Sequence, residues 1–143
     1  MFSNSSKYAI KAVLFLALKS SEENKIMVKD IAESINVPQA YIAKLLQELS
    51  RHHVVSSTKG PKGGFYLSDR DKELPLKTIV HVIDGDDRLE SCLLSLESCS
   101  AERPCPLHKM AAPLRGKLLD DLENKTICHL AQDIEDGKAF LPL

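Results

Sequence analysis

Between Cys92 and His108 the chain reads C-LLSLES-C-SAERP-C-PL-H, three thiols and an imidazole within seventeen residues at gaps of six, five and two. Thiolates and imidazole nitrogens are the side chains that bind zinc, softer transition metals and iron–sulfur clusters. The spacing departs from the paired C-x-x-C of a structural zinc knuckle and reads as a loop wrapped around a ligand and delivered into a helix. Pro106 directly follows Cys105, and proline suits the first turn of a helix. A helix starting at Pro106 would aim unpaired backbone N–H groups and its positive dipole end at Cys105, favouring a thiolate there, and would put His108 on the same side of the first turn. Two other chemistries use the same residues: a zinc ion held by three cysteines and a histidine, and a thiol–disulfide switch that needs only two of the thiols. Cys128 falls outside the set, because its place between Ile127 and Leu130 on an amphipathic stretch suits a small buried hydrophobe.

The elements around this loop are legible from apolar spacing. Residues 5–20 form a wide apolar stripe from Tyr8 to Leu18, with Ser5 or Ser6 available as the cap. Residues 28–35 make a short helix with Ile31, Ala32 and Ile35 inward, and neither Met27 nor Val28 can cap it. Asn36 suits a left-handed stop, Pro38 the first turn of the next helix, and Ile42, Leu45, Leu46 and Leu49 are its inward face. Two short helices joined this tightly form a helix-turn-helix. Val54 to Thr58 and Phe65 to Ser68 are strand-like around a GPKGG tip, which makes a β-hairpin wing. Residues 76–83 form a short helix stopped at Asp84-Gly85. Residues 106–123 form a longer helix in which Pro113 and Gly116 predict a kink or a late start, and Thr126 caps a last helix to about residue 136. The expected fold is mainly α with a small β-hairpin wing. It divides into a winged helix-turn-helix over 1–84, a cysteine-rich sensor loop over 85–105 and C-terminal dimerisation helices over 106–143.

The helix-turn-helix and wing predict binding to double-stranded DNA. The second helix presents Gln39, Ala40, Tyr41, Ala43, Lys44 and Gln47, and amide and aromatic groups near a helix N-terminus suit base edges and phosphates in a major groove. The wing tip, Lys59, Gly60, Pro61 and Lys62, is a thin basic loop suited to a minor groove or to phosphates, and Arg51 and His52 can add phosphate contacts. Winged helices also serve as protein-interaction modules, and lysines on a turn are ordinary surface.

Net charge is −1, so any grip on nucleic acid must be local rather than global. Acidic residues gather in the second half, in Asp84, Asp86, Asp87, Glu90, Asp120, Asp121 and others, whereas basic residues weigh more before residue 77. No apolar run reaches membrane-spanning length and the N-terminus lacks a secretory signal pattern, so a cytoplasmic, reducing setting is expected, where clustered cysteines bind metal or do redox chemistry. No nucleophile–base–acid set is spaced recognisably, and GPKGG lacks the strand–loop–helix setting of a phosphate loop, so an enzyme is not expected.

On these stretches, SKYAIKAVLFLA, VKDIAESINVPQAYIAKLLQELSRHHVVSSTKGPKGGFYLS, the cysteine loop with C-P-L-H, and NKTICHLAQ, the chain resembles the Rrf2 family of bacterial winged-helix repressors. The resemblance implies a homodimer whose long C-terminal helices cross, a palindromic operator, and a cysteine-ligated iron–sulfur cluster sensing cluster status, redox state or nitric oxide. The ligands it implies are Cys92, Cys99 and Cys105, with His108 as the fourth in the IscR-like pattern, and a [2Fe–2S] cluster favoured over [4Fe–4S]. In the NsrR-like pattern an N-terminal acid just before the first-helix tyrosine takes that place, and this chain has Lys7 there. Departures from the IscR-like pattern are a first cysteine gap one residue longer, Ala43 where a base-reading glutamate stands, and Lys59 at a wing position often held by arginine. Pro113 and Gly116 also interrupt a helix that the family keeps continuous.

Overall fold

The computed structural model describes residues 2–94 and 100–142, so Cys99, expected as a ligand, lies outside the described residues. The first helix, α1 (Asn4–Lys19), is the hub, with Ala9, Ala12, Val13 and Leu16 fully buried. Its cap is Ser3 rather than Ser5 or Ser6: the Ser3 hydroxyl accepts from the Ser6 N–H at 3.0 Å. Ser6 is itself fully buried and serves a different partner. Next, α2 (Val28–Ile35) starts without a side-chain cap and ends at Asn36 in the left-handed conformation, φ 55°. The following helix, α3 (Gln39–Arg51), starts one residue after Pro38 and buries Ile42, Leu45, Leu46 and Leu49. Together α1, α2 and α3 enclose one core with Ile31, Val54 and Leu67.

The wing is shorter than the apolar run predicts. Strand β1 (Ser56–Thr58) pairs antiparallel with β2 (Gly64–Tyr66), with Ser57 opposite Phe65. Val54 and Val55 leave the ladder because their N–H groups close the end of α3 on the Leu49 carbonyl, at 2.8 and 3.4 Å, and both side chains are buried beneath it. Leu67 leaves it because its N–H goes to the buried Ser20 hydroxyl at 3.1 Å, and Ser68 caps the four-residue α4 (Asp69–Lys72). On its far side β2 pairs with Ile26, through Ile26 N–H to Phe65 O at 2.9 Å and the reciprocal bond at 2.8 Å.

Beyond the wing, α5 (Leu76–Asp84) packs across α1, and the one-turn α6 (Asp87–Glu90) buries Leu89. The long helix α7 (His108–Asn124) starts two residues later than Pro106 and runs unbroken through Pro113. Proline there removes one bond to the Lys109 carbonyl, and both residues are exposed or half-exposed, so water can satisfy that carbonyl. Finally α8 (Ile127–Glu135), capped by Thr126, packs back on α1. The Cys128 side chain on it is half-buried. No described helix is long and apolar enough to cross a membrane.

Candidate nucleic-acid interface and cysteine loop

One side of α3, the start of α2 and the wing frame an open groove of about 650 Å³. Gln39, Gln47 and Arg51 line it from α3, Lys29 from α2, and Thr58, Lys59 and Gly60 from the wing. Lys29 carries a cation into the groove that sequence patterning does not single out; its place on the solvent side of the first turn of α2 is the available signal. Arg51 is 71% exposed and paired with Glu48 at 3.1 Å, and Lys29, Lys44, Lys59 and Lys62 are also exposed cations. Gln39, Ala40 and Lys44 are exposed on α3, and Lys59, Gly60, Pro61 and Lys62 project at the tip.

The glycines explain how the tip can be this thin. A Cβ on Gly63 would lie 2.1 Å from the Thr58 carbonyl oxygen, and one on Gly64 would lie 2.7 Å from that of Ile26. Both neighbours are backbone, so neither position accepts another residue without opening the hairpin. Below the tip, the buried Asp71 carboxylate accepts from the Ser56 hydroxyl at 2.6 Å and the Ser68 N–H at 3.0 Å, tying the wing's base to α4.

Tyr41 has a double attachment that periodicity does not show. It is 37% exposed on α3, yet its hydroxyl lies 2.5 Å from the Ser5 hydroxyl and its ring meets Tyr8 edge-on at 5.8 Å. The residue expected at the DNA is therefore also the link between α3 and the first turns of α1.

The cysteine loop is anchored at both ends. On one side α6 packs on α7, with the Arg115 guanidinium donating to the Glu90 carbonyl at 3.3 Å. On the other, the His108 N–H donates to the Cys105 carbonyl at 3.0 Å. Cys105 therefore precedes α7 by about a turn of chain, and the expected helix start at Pro106, directly after Cys105, is corrected: Pro106 and Leu107 form a turn, with Leu107 as the cap residue. The loop nonetheless brings the two outer thiols together. Cys92 is buried, Cys105 half-buried, and their sulfurs are 3.9 Å apart. Tetrahedral ligation at about 2.3 Å per metal–sulfur bond separates two sulfurs by roughly 3.8 Å, whereas a disulfide requires about 2.05 Å. The spacing fits two thiols in S–H···S contact and equally two ligands of one metal, and it is too long for a disulfide. Among the described residues no group of three metal-binding side chains is assembled, and His108 is half-buried at the start of α7.

With a helix-turn-helix, a basic wing and this loop in one chain, comparison with known proteins is direct. A family model described as Rrf2, iron-dependent transcriptional regulator, matches residues 2–133. The chain belongs to the Rrf2 family. An HTH-type transcriptional regulator of Aquifex aeolicus (strain VF5) is 32% identical over 142 residues, covering 98% of this chain and 96% of that one. The IscR regulator of Pectobacterium atrosepticum is 28% identical, covering 90% and 77%. Among solved structures, CymR, the global cysteine regulator of B. subtilis, superposes with a TM-score of 0.72 at 21% identity, covering 92% and 96%. T. potens IscR does so with 0.70 at 21%, covering 99% and 93%. These two likenesses show the fold. Rrf2 proteins are DNA-binding transcriptional regulators, not enzymes, and this chain is one of them.

Proposed function

We propose that the protein is a dimeric repressor that reads a palindromic operator with α3 and the wing, and whose grip depends on what its cysteine loop holds. In this reading Gln39, Ala40, Tyr41 and Lys44 meet the major groove, while Lys59, Gly60, Pro61 and Lys62 meet the flanking backbone or minor groove. Two-fold pairing through α7 sets the half-site spacing. Met110 and Leu114 support that pairing: they lie four residues apart on α7 and are 69% and 71% exposed.

The observation that carries the sensor reading is the 3.9 Å separation of the Cys92 and Cys105 sulfurs beside α7. With Cys99 and His108, these residues would hold an iron–sulfur cluster, a [2Fe–2S] centre being favoured by the histidine. Such a group supplies redox- and nitric-oxide-sensitive chemistry. The chain's own part is to bury Cys92, to hold α6 against α7 and to present Cys105 one turn before the helix. The same pair favours one second reading, a thiol–disulfide switch between Cys92 and Cys105, which needs the sulfurs to close by roughly 2 Å. Anaerobic purification followed by iron and sulfide analysis separates the two. Coloured protein with about two irons and two sulfides per chain supports the cluster. Colourless protein whose Cys92 and Cys105 become linked on oxidation favours the switch.

A further inference from the structure

Sequence marks Asp84 only as a helix stop, but its carboxylate is a junction. The side chain is 7% exposed. One oxygen accepts from the Ser3 hydroxyl at 2.5 Å; the other accepts from the Ser3 N–H at 3.2 Å and the Ser6 hydroxyl at 2.7 Å. Arg88 of α6 approaches that second oxygen at 3.9 Å. The last residue of α5 thus grips the cap and first turn of α1 from one side and meets, on the other, the helix whose Arg88 stands four residues before Cys92. Ser5 lies between Ser3 and Ser6 on the gripped turn, and its hydroxyl is the partner of Tyr41.

We propose that Asp84 is a positioning residue for DNA recognition: by clamping the first turn of α1 it places Ser5 and Tyr8 so that Tyr41 is held for the DNA. Through Arg88 the clamp responds to the state of the cysteine loop. The clamp deepens the proposed function, since it rests on α3 as the reading helix and on the loop as the sensor. Its logic is that of a shared rigid body. The α1 turn cannot shift relative to α5 without breaking three hydrogen bonds to one buried carboxylate, and it cannot shift relative to α3 without releasing Tyr41. Serine hydroxyls at both contacts make the linkage short, and short links transmit displacement that long flexible side chains absorb.

The test uses the full chain and a duplex selected by the wild-type protein from a random pool, with a scrambled duplex of equal length as reference, both read by fluorescence anisotropy. Asp84→Ala and Ser5→Ala should each weaken binding to the selected duplex roughly three- to tenfold, the range expected for loss of one anchoring hydrogen bond. The double variant should be no weaker than the worse single, and binding to the scrambled duplex should stay within about twofold, because the grip on phosphates is unchanged. Additive losses, equal losses on both duplexes, or no loss would overturn the clamp. Circular dichroism melts establish that the variants are folded at the assay temperature. If Asp84→Ala is not, Asp84→Asn, which keeps the shape, takes its place. A second arm replaces Cys92 and Cys105 by serine. A change in affinity in the wild-type background that is absent in the Asp84 variant supports the connection through Arg88. The same change in both backgrounds overturns that connection. No change in the wild-type background overturns the sensor reading and the loop end of the clamp, while the first arm still judges the link from Asp84 to Tyr41.

Discussion

Gly63→Ala probes the wing most sharply, because the three atoms nearest to a side chain there are all backbone. The added Cβ would stand 2.1 Å from the Thr58 oxygen and 2.9 Å from both the Gly60 oxygen and the Lys59 carbonyl carbon. Side-chain rotation cannot relieve a clash with backbone, so the tip must open. Opening costs the Gly63 N–H to Gly60 O bond of 2.9 Å and strains the Thr58 and Gly64 pairing beside it. Two hydrogen bonds at about 0.5–1.5 kcal/mol each put the loss near 1–3 kcal/mol, concentrated in the hairpin rather than the core. The functional effect is larger than the thermodynamic one suggests, since Lys59 and Lys62 are carried by the opened segment. Each phosphate that a lysine no longer neutralises reduces the slope of log affinity against log salt by about 0.9, so withdrawing two lysines should flatten it by roughly 2. Anisotropy titrations of a selected duplex across a salt series measure that slope directly. A Gly63→Ala protein that binds with the wild-type slope would refute the placement of the wing on the phosphate backbone.

Other perturbations bear on separate parts of the structure. Ser20→Ala should cost about 1–3 kcal/mol in denaturant titration, because it leaves the buried Leu67 N–H without the hydroxyl at 3.1 Å; a loss below about 0.5 kcal/mol in the same measurement, roughly the noise of such titrations, would contradict that accounting. Burial alone would raise the Asp84 carboxyl, but hydrogen bonds from the Ser3 and Ser6 hydroxyls and the Ser3 N–H, with Arg88 nearby, outweigh it and hold the group below its ordinary value. A lowered carboxyl stabilises the fold above its unfolded value near 3.9 and loses that contribution as pH falls through the folded value. Asp84→Asn should therefore melt with a smaller drop between about pH 6 and pH 3 than wild type, and an equal drop would count against the clamp's ionisation. Gly116→Ala, with nothing within 4 Å of the new methyl, should raise stability by about 0.5–1 kcal/mol; a decrease would show that this point of α7 is pressed against a second chain.

Where one residue type has one local job, the sequence is readable. The 3.6-residue spacing of Ile42, Leu45, Leu46 and Leu49 places α3, Asn36 has the left-handed conformation its amide tolerates, and the glycines of the tip mark the wing. Reading fails where a residue answers to a partner distant in sequence. Val54 and Val55 have strand-forming side chains, but their N–H groups close the end of α3, and Leu67 turns to Ser20, 47 residues away. Neither α4 nor α6 has enough length to show a period, so their existence rests on the Ser68–Asp71 capping box and the burial of Leu89. Pro106 promises a helix start, yet the chain makes a turn first, which sets Cys105 two residues further from the helix while leaving its sulfur beside Cys92. The attachment of Tyr41 to Ser5, and of Asp84 to Ser3 and Ser6, joins positions 36 and about 80 residues apart, which no local pattern encodes.

The central claim, that DNA affinity is set by what the cysteine loop holds, is tested most directly by one anisotropy measurement. Anaerobically purified, iron-containing protein is titrated onto its selected duplex before and after exposure to nitric oxide or air. A shift in affinity of about tenfold or more, abolished in a Cys92→Ser protein, is the expected result, since coupling free energies of about 1–3 kcal/mol are typical of linked sites. Identical titration curves before and after exposure, from protein whose iron has been lost, would contradict it.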